Sequence, residues 1–375
     1  MLLFKFVKSI HHWVKVGRKI SNVFNENHKK FALISYTIFP FLKQTATHTN
    51  QQESIVIARL FDELGYCVDV VHYTNGRCID YSKYDVIFGF GEPFENSFNS
   101  PYNIQRIYYA TGAHVCFQNH AEIKRVQAVS AKYGEFASPK RLVPWMWSQS
   151  TTMSDALIII GNEWTKSTYA AFTNTPIFSV NATAFINERS ITINREIEKS
   201  KKNFLWFGSG GLIHKGLDLC LEYFAKHTEY NLHICGPRED DFFRIFKDEL
   251  AQPNIHFYGF VDVQSDLFVE IVSQCSFAIL PTCSEGQATA LLTAMGGGLI
   301  PISTIYSGID VQKYGYVIPS LDVDGLAEKI NIVVNLSEAE IREKSNIAQD
   351  IIRQDHTLDA FKARLQSVLS SGILN

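Results

Sequence analysis

Cysteine is scarce in this chain: seven in 375 residues, scattered from Cys67 to Cys283, odd in number and without a CxxC pair. That pattern excludes a disulfide framework and reads as reduced thiols in a cytosolic chain. A charge excess is missing too. The formal net charge is -3, which gives no overall field to recruit nucleic acid. Twelve histidines include no HExxH and no spaced Cys/His cluster, so no metal site is expected. GK[ST] is absent, which excludes a Walker A phosphate loop. No apolar run is long enough to span a bilayer, and no small-residue cleavage site follows the N-terminus.

What is present is globular. Apolar residues make up 46% and charged residues 19%, and the length suits two cores better than one. Residues 1–24 read as a basic amphipathic helix. Leu3, Phe6, Val7, Ile10, Trp13, Val14 and Ile20 share one face, and Lys5, Lys8, Lys15, Arg18 and Lys19 lie opposite. Such a helix suits a membrane surface or its own domain, and the expectation is peripheral contact with the cytoplasmic membrane face. From Phe31 onward, apolar strand-like runs alternate with helical stretches, as in FALISYTI, CVDVVHY and YDVIFGFG. This alternation predicts parallel sheets in an α/β fold. A polar, charge-rich stretch from Phe185 to Asn203 separates it from a second alternation. The expected organisation is an N-terminal Rossmann-like domain over 30–185 and a second over 203–355. A C-terminal helix over 356–375 is expected to return to the N-terminal domain.

The most informative stretch is Phe277 to Ser303, FAILPTCSEGQATALLTAMGGGLIPIS. A strand, a turn carrying Glu285, a small-residue helix and a second strand make a βαβ unit. Its only charge sits at the carboxyl end of a strand, where ligands bind in open parallel sheets. A Glu there repels phosphate and suits hydroxyls, such as those of a sugar attached to a diphosphate. In FLWFGSGGLIHKGLD, a strand ends in Gly208, Ser209, Gly210 and Gly211, and Lys215 lies near the next helix. Glycines there let backbone amides approach an anion, though a plain β–α turn has the same look. Asp322 and Asp324 have a DxD spacing, but they precede a helix and read as caps. His114 follows a strand at the ligand edge of the N-terminal sheet, with His120, His48 and Glu163 as weaker candidates on that edge.

In order, FGSGGLIHKGLD, NLHICGP, NIHFYGFV and LPTCSEGQATALLTAMGGGLIPI resemble glycosyltransferase family 4, of the two-domain GT-B fold. The resemblance covers Phe204 to Leu336 and extends loosely to the TGAH turn of the N-terminal half. It implies an active site in the cleft between two sheets. Lys215 matches the lysine that holds the donor diphosphate, and Glu285 the acid that contacts donor-sugar hydroxyls. Gly286, Gln287, Ala288 and Thr289 then border the sugar and phosphate, beside the loop Gly208, Ser209 and Gly210. Gly259 and Val261 lie near the nucleobase, and His114 approaches the sugar from the other domain. Three positions depart from the family. Thr293 stands where a second acid binds the ribose, Ser209 where an arginine binds phosphate, and Gln287 where an aromatic is usual. Arg238 is the expected compensating cation. The implied activity is transfer of a sugar from a nucleotide-sugar donor to a glycan or glycolipid hydroxyl, retaining and without metal or other cofactor. A catalytically silent GT-B protein that binds a nucleotide or glycan is the alternative.

Overall fold

The computed structural model describes residues 17–42, 48–144, 148–191 and 195–374. Among these, the strands form two sheets. The first contains β1 (Lys19–Ile20), β2 (Lys30–Tyr36), β3 (Tyr66–His72), β4 (Val86–Gly89), β5 (Gln105–Ala110), β6 (Ala156–Ile160) and β7 (Ile177–Val180). Their order is β1-β3-β2-β4-β5-β6-β7, parallel except for β1. The second contains β8 (Asn203–Phe207), β9 (Asn231–Cys235), β10 (Ile255–Gly259), β11 (Phe277–Leu280), β12 (Ile300–Ser303) and β13 (Tyr316–Val317). Its order is β10-β9-β8-β11-β12-β13, parallel throughout. Strands such as β3, β4, β6 and β11 are buried at every residue, which is why they read as continuous apolar runs rather than alternating ones.

Each sheet reverses direction beside its first long strand. In the first the reversal lies between β2 and β4, and in the second between β8 and β11. Crevices open at such points, outside the carboxyl ends of the strands. The helices that matter for the site are α1 (Thr49–Glu63), α2 (Val115–Tyr133), α3 (Glu163–Ala170), α4 (Leu217–Phe224), α5 (Asp266–Gln274) and α6 (Thr289–Gly296). Helix α7 (Glu338–Asp355) packs on α6, and α8 (Leu358–Val368) crosses back to pack on α1. The crossing is tied by His356, whose Nδ1 lies 2.7 Å from the Ala182 carbonyl.

The N-terminal helix expected over 1–24 lies mostly outside the described residues. Where it enters them, it is corrected. Lys19 and Ile20 pair antiparallel with Val71 and Val70 as an edge strand. The buried carboxylate of Asp69 holds this segment in place: it accepts the Asn22 N–H at 2.9 Å and lies 3.2 Å from Lys19 Nζ. A buried carboxylate needs such partners, and a helix through residue 24 would withdraw them. Among the described residues, no helix is long and apolar enough to cross a membrane.

Candidate active site

A cleft of about 950 Å³ separates the carboxyl ends of the two sheets and is lined from both. On the C-terminal side, Glu285 and Lys215 meet there, although 70 positions separate them. Lys215 ends a loop that leaves β8. Its own N–H donates to Gly211 O at 2.9 Å, and the buried Trp206 indole donates to its carbonyl at 3.2 Å. These bonds aim Lys215 Nζ at Glu285 Oε1, with which it forms a buried ion pair. Thr282 Oγ1 donates to the same carboxylate oxygen at 3.3 Å. Burial alone would raise the Glu285 carboxyl, but the charges of Lys215, Arg141 and His214 outweigh it and bring it down to about 2. Glu285 is therefore an anion throughout the neutral range.

The other predicted donor residues fall into three groups. Gly208, Ser209, Gly210, Ala288, Thr289 and Val261 line the cleft. Gly286, Gln287 and Thr293 also line it but are tied to the N-terminal half. Gly286 O accepts from Thr165 Oγ1 on α3 at 3.0 Å. A Cβ at Gly286 would stand 2.6 Å from Thr111 O and 2.8 Å from Ile160 O, so only glycine permits this approach of the two domains. Gln287 Oε1 accepts the Ala182 N–H at 2.7 Å, and Thr293 Oγ1 accepts the Phe185 N–H at 3.2 Å. Gly259 ends β10 with φ +72°, and the lining there passes to Val261 and to Phe260, which is 84% exposed.

Two predicted residues lie elsewhere. His114 is not among the cleft-lining residues. Its Nδ1 accepts the Cys116 N–H at 3.3 Å as the N-cap of α2, and its ring stacks on Phe172 with centroids 4.0 Å apart. Burial pushes its imidazole down to about 4, so it is neutral and held as part of the packing. Arg238 is not among the cleft-lining residues; it lies 3.5 Å from Asp240 and over the Phe243 ring. Asp322 caps the helix Val323–Val333, its Oδ1 accepting the Gly325 N–H at 2.8 Å. Among the described residues, no group of three His, Cys, Asp or Glu is placed to hold a metal ion.

Sequence reasoning missed the N-terminal side of this site. Arg141 lines the cleft, its Nη2 4.0 Å from Glu285 Oε2. Glu122 of α2 fixes its loop, Oε1 accepting the Lys140 and Arg141 N–H groups at 2.6 and 3.0 Å. The other oxygen of Glu122 lies 2.8 Å from His214 Nδ1, and His214 Nε2 lies 2.5 Å from Ser284 O. A carbonyl only accepts, so Nε2 carries a proton, and the Glu122–His214 pair holds one more between its two atoms. The local signal for Arg141 was a short loop set between Pro139 and Pro144, which marks order but not a role. His48, a weaker candidate, does line the cleft.

The amides of the glycine loop are partly spoken for. The Glu239 carboxylate accepts from Gly211 N at 2.5 Å and Leu212 N at 3.4 Å. An anion in the cleft thus depends on side-chain cations more than the glycine pattern implied.

Residues 189–350 match the family model for glycosyl transferases group 1. No curated protein matches the sequence significantly. Among solved structures, sucrose-phosphate synthase from Thermosynechococcus elongatus superposes with a TM-score of 0.65 at 13% identity, over 92% of this chain and 99% of its own. WaaG, a glycosyltransferase involved in lipopolysaccharide biosynthesis, gives 0.58 at 13% identity, over 91% and 100%. Anabaena HepE, in complex with UDP and glucose, gives 0.58 at 12% identity, over 92% and 100%. The fold is GT-B, two Rossmann-like domains facing across a cleft, and the group 1 glycosyl transferase match lies within its C-terminal half.

Proposed function

From a group 1 glycosyltransferase domain on a GT-B fold, we propose that this protein moves a sugar from a nucleotide-sugar donor to a hydroxyl of a glycan or glycolipid acceptor. The observation that carries this reading is the buried Lys215–Glu285 pair at the β8/β11 reversal, facing the cleft. Lys215 opposes charge on the departing diphosphate, and the amides of Gly286 and Gln287 border the same space. Glu285, held as an anion, accepts hydrogen bonds from donor-sugar hydroxyls. Phe260, at the cleft wall, offers a ring face to the base.

Transfer retains the anomeric configuration in this reading. The acceptor oxygen attacks the anomeric carbon on the face that the diphosphate leaves. The bond to the diphosphate oxygen breaks, and the acceptor proton passes to that oxygen. Glu285 is assigned to binding rather than attack, its Oε1 engaged by Lys215 and Thr282. No metal is needed, since fixed cations and amides stabilise the leaving group. The test is release of nucleoside diphosphate on mixing with a panel of nucleotide sugars and acceptors, with and without chelator. Release unaffected by chelator is expected. A strict metal requirement contradicts the metal-free reading.

One observation favours the silent binding protein as a second reading: Thr293 presents no carboxylate, and its hydroxyl already accepts from Phe185. Absence of diphosphate release with every donor, alongside nucleotide binding, selects it. The proposed location is the cytoplasm, with the N-terminal residues before β1 contacting the membrane face. Sedimentation with anionic lipid vesicles is expected for the full chain and lost on deletion of 1–16. Binding that survives the deletion removes this part of the proposal.

A further inference from the structure

Building on the proposed donor site, we infer that Arg141 supplies the net positive charge that holds the donor diphosphate, delivered across the cleft from the N-terminal domain. Lys215 alone does not provide it, because its charge is matched by Glu285 in a buried pair. The glycine loop does not provide it either, because two of its amides serve the Glu239 carboxylate. Ser209 is uncharged, and Arg238 lies outside the cleft beside Asp240. With Arg141 4.0 Å from the second oxygen of Glu285, the group Lys215, Glu285 and Arg141 changes from neutral to singly positive. Diphosphate is then attracted to a group of three side chains that would be neutral without Arg141.

The placement of Arg141 is built. The aliphatic stem lies against Gly211, where φ is +89° and any Cβ would collide with it. The backbone is gripped on both sides, since Gln118 Nε2 donates to Arg141 O at 2.7 Å and Glu122 accepts its N–H. Its Nε is buried with no hydrogen-bond partner among the described residues, while the side chain as a whole is 37% exposed and lines the cleft. A guanidinium suits phosphate because it presents several donors in a fixed plane. Glu122 links the two halves of the arrangement. One oxygen positions the Arg141 loop, and the other holds His214, the residue before Lys215. Glu122 is thus a positioning residue that sets the separation of the two cations.

Calorimetric titration of the full chain tests this. Uridine, guanosine and adenosine diphosphates are titrated first, and the tightest is compared with its nucleoside. The wild type is expected to bind one diphosphate clearly. R141Q is expected to bind it about 30-fold more weakly, the loss of one charge-assisted contact, while nucleoside binding shifts by less than about threefold. R141K is expected to recover part of the loss. Equal diphosphate affinity in wild type and R141Q overturns the inference and leaves the functional reading standing. Equal losses for diphosphate and nucleoside, with R141K no better than R141Q, make Arg141 a packing residue and also overturn it. Failure of the wild type to bind any diphosphate removes the functional reading and this inference with it.

Discussion

Lys215→Met is expected to lower kcat by about a hundredfold to a thousandfold, the range for losing one preorganised stabiliser of developing charge. Lys215 is 5% exposed, and its reach to Glu285 is set by backbone bonds to Gly211 and Trp206. The single change has a second consequence. It leaves Glu285 buried without its main counter-charge, and burial then raises the carboxyl above its present value of about 2. The sign follows from linkage. A depressed carboxyl adds stability above its unfolded pKa of about 4.3, and that stability is lost as pH falls toward 2. In Lys215→Met the largest part of that stabilisation is lost, Arg141 and His214 keeping the rest, and the titration of Glu285 moves upward. Glu285→Gln should lower activity comparably. The double variant Lys215→Met with Glu285→Gln should regain much of the stability, since no unpaired buried charge remains, but none of the activity. Recovery of both together would make the pair structural. The measurements are steady-state kinetics and urea unfolding at several pH values.

Arg125→Met is expected to cost about 3–5 kcal/mol of unfolding free energy, the range for stranding one member of a buried ion pair. Arg125 on α2 donates through Nη2 to Asp218 Oδ2 on α4, so the pair joins the two domains. Arg125 is 9% exposed and Asp218 1%, so water cannot replace the lost partner. Along the same seam Lys132 and Tyr133 meet Glu222, and Ser138 meets Asp241. Those contacts are more exposed and should matter less, about 1 kcal/mol or below for an exposed pair. Adding Asp218→Asn removes the stranded charge and should restore most of the loss. A change below about 1 kcal/mol for Arg125→Met alone, read from the urea midpoint and slope, would contradict the buried-pair account.

The C-terminal half was readable because its chemistry is local. Glu285 sits one turn after an apolar strand and Lys215 one loop after another, so strand ends alone put both at a ligand edge. Their direct contact was not readable, because it depends on β8 and β11 being neighbours in the sheet while β9 and β10 intervene in sequence. Arg141 was invisible for a stronger reason. It reaches the site only when one domain faces the other, and nothing within its own loop encodes that distance. For His114, position after a strand told nothing of how the ring is held. Its nitrogen caps α2, and its ring is claimed by Phe172, which lies 58 positions later. At the N-terminus, a 3.6-residue apolar pattern ran on through Ile20. The partners that make a strand there, Val70 and Val71 on β3, and the buried Asp69 carboxylate that anchors it are distant in sequence.

The proposed reaction is transfer of a sugar with retention, driven by departure of a diphosphate. Proton NMR of the wild-type reaction, with the donor and acceptor that release most diphosphate, tests it most directly. One glycosidic linkage per diphosphate released, in the anomeric configuration of the donor, is the predicted result. An inverted linkage, or diphosphate released with no glycosidic product, would contradict it.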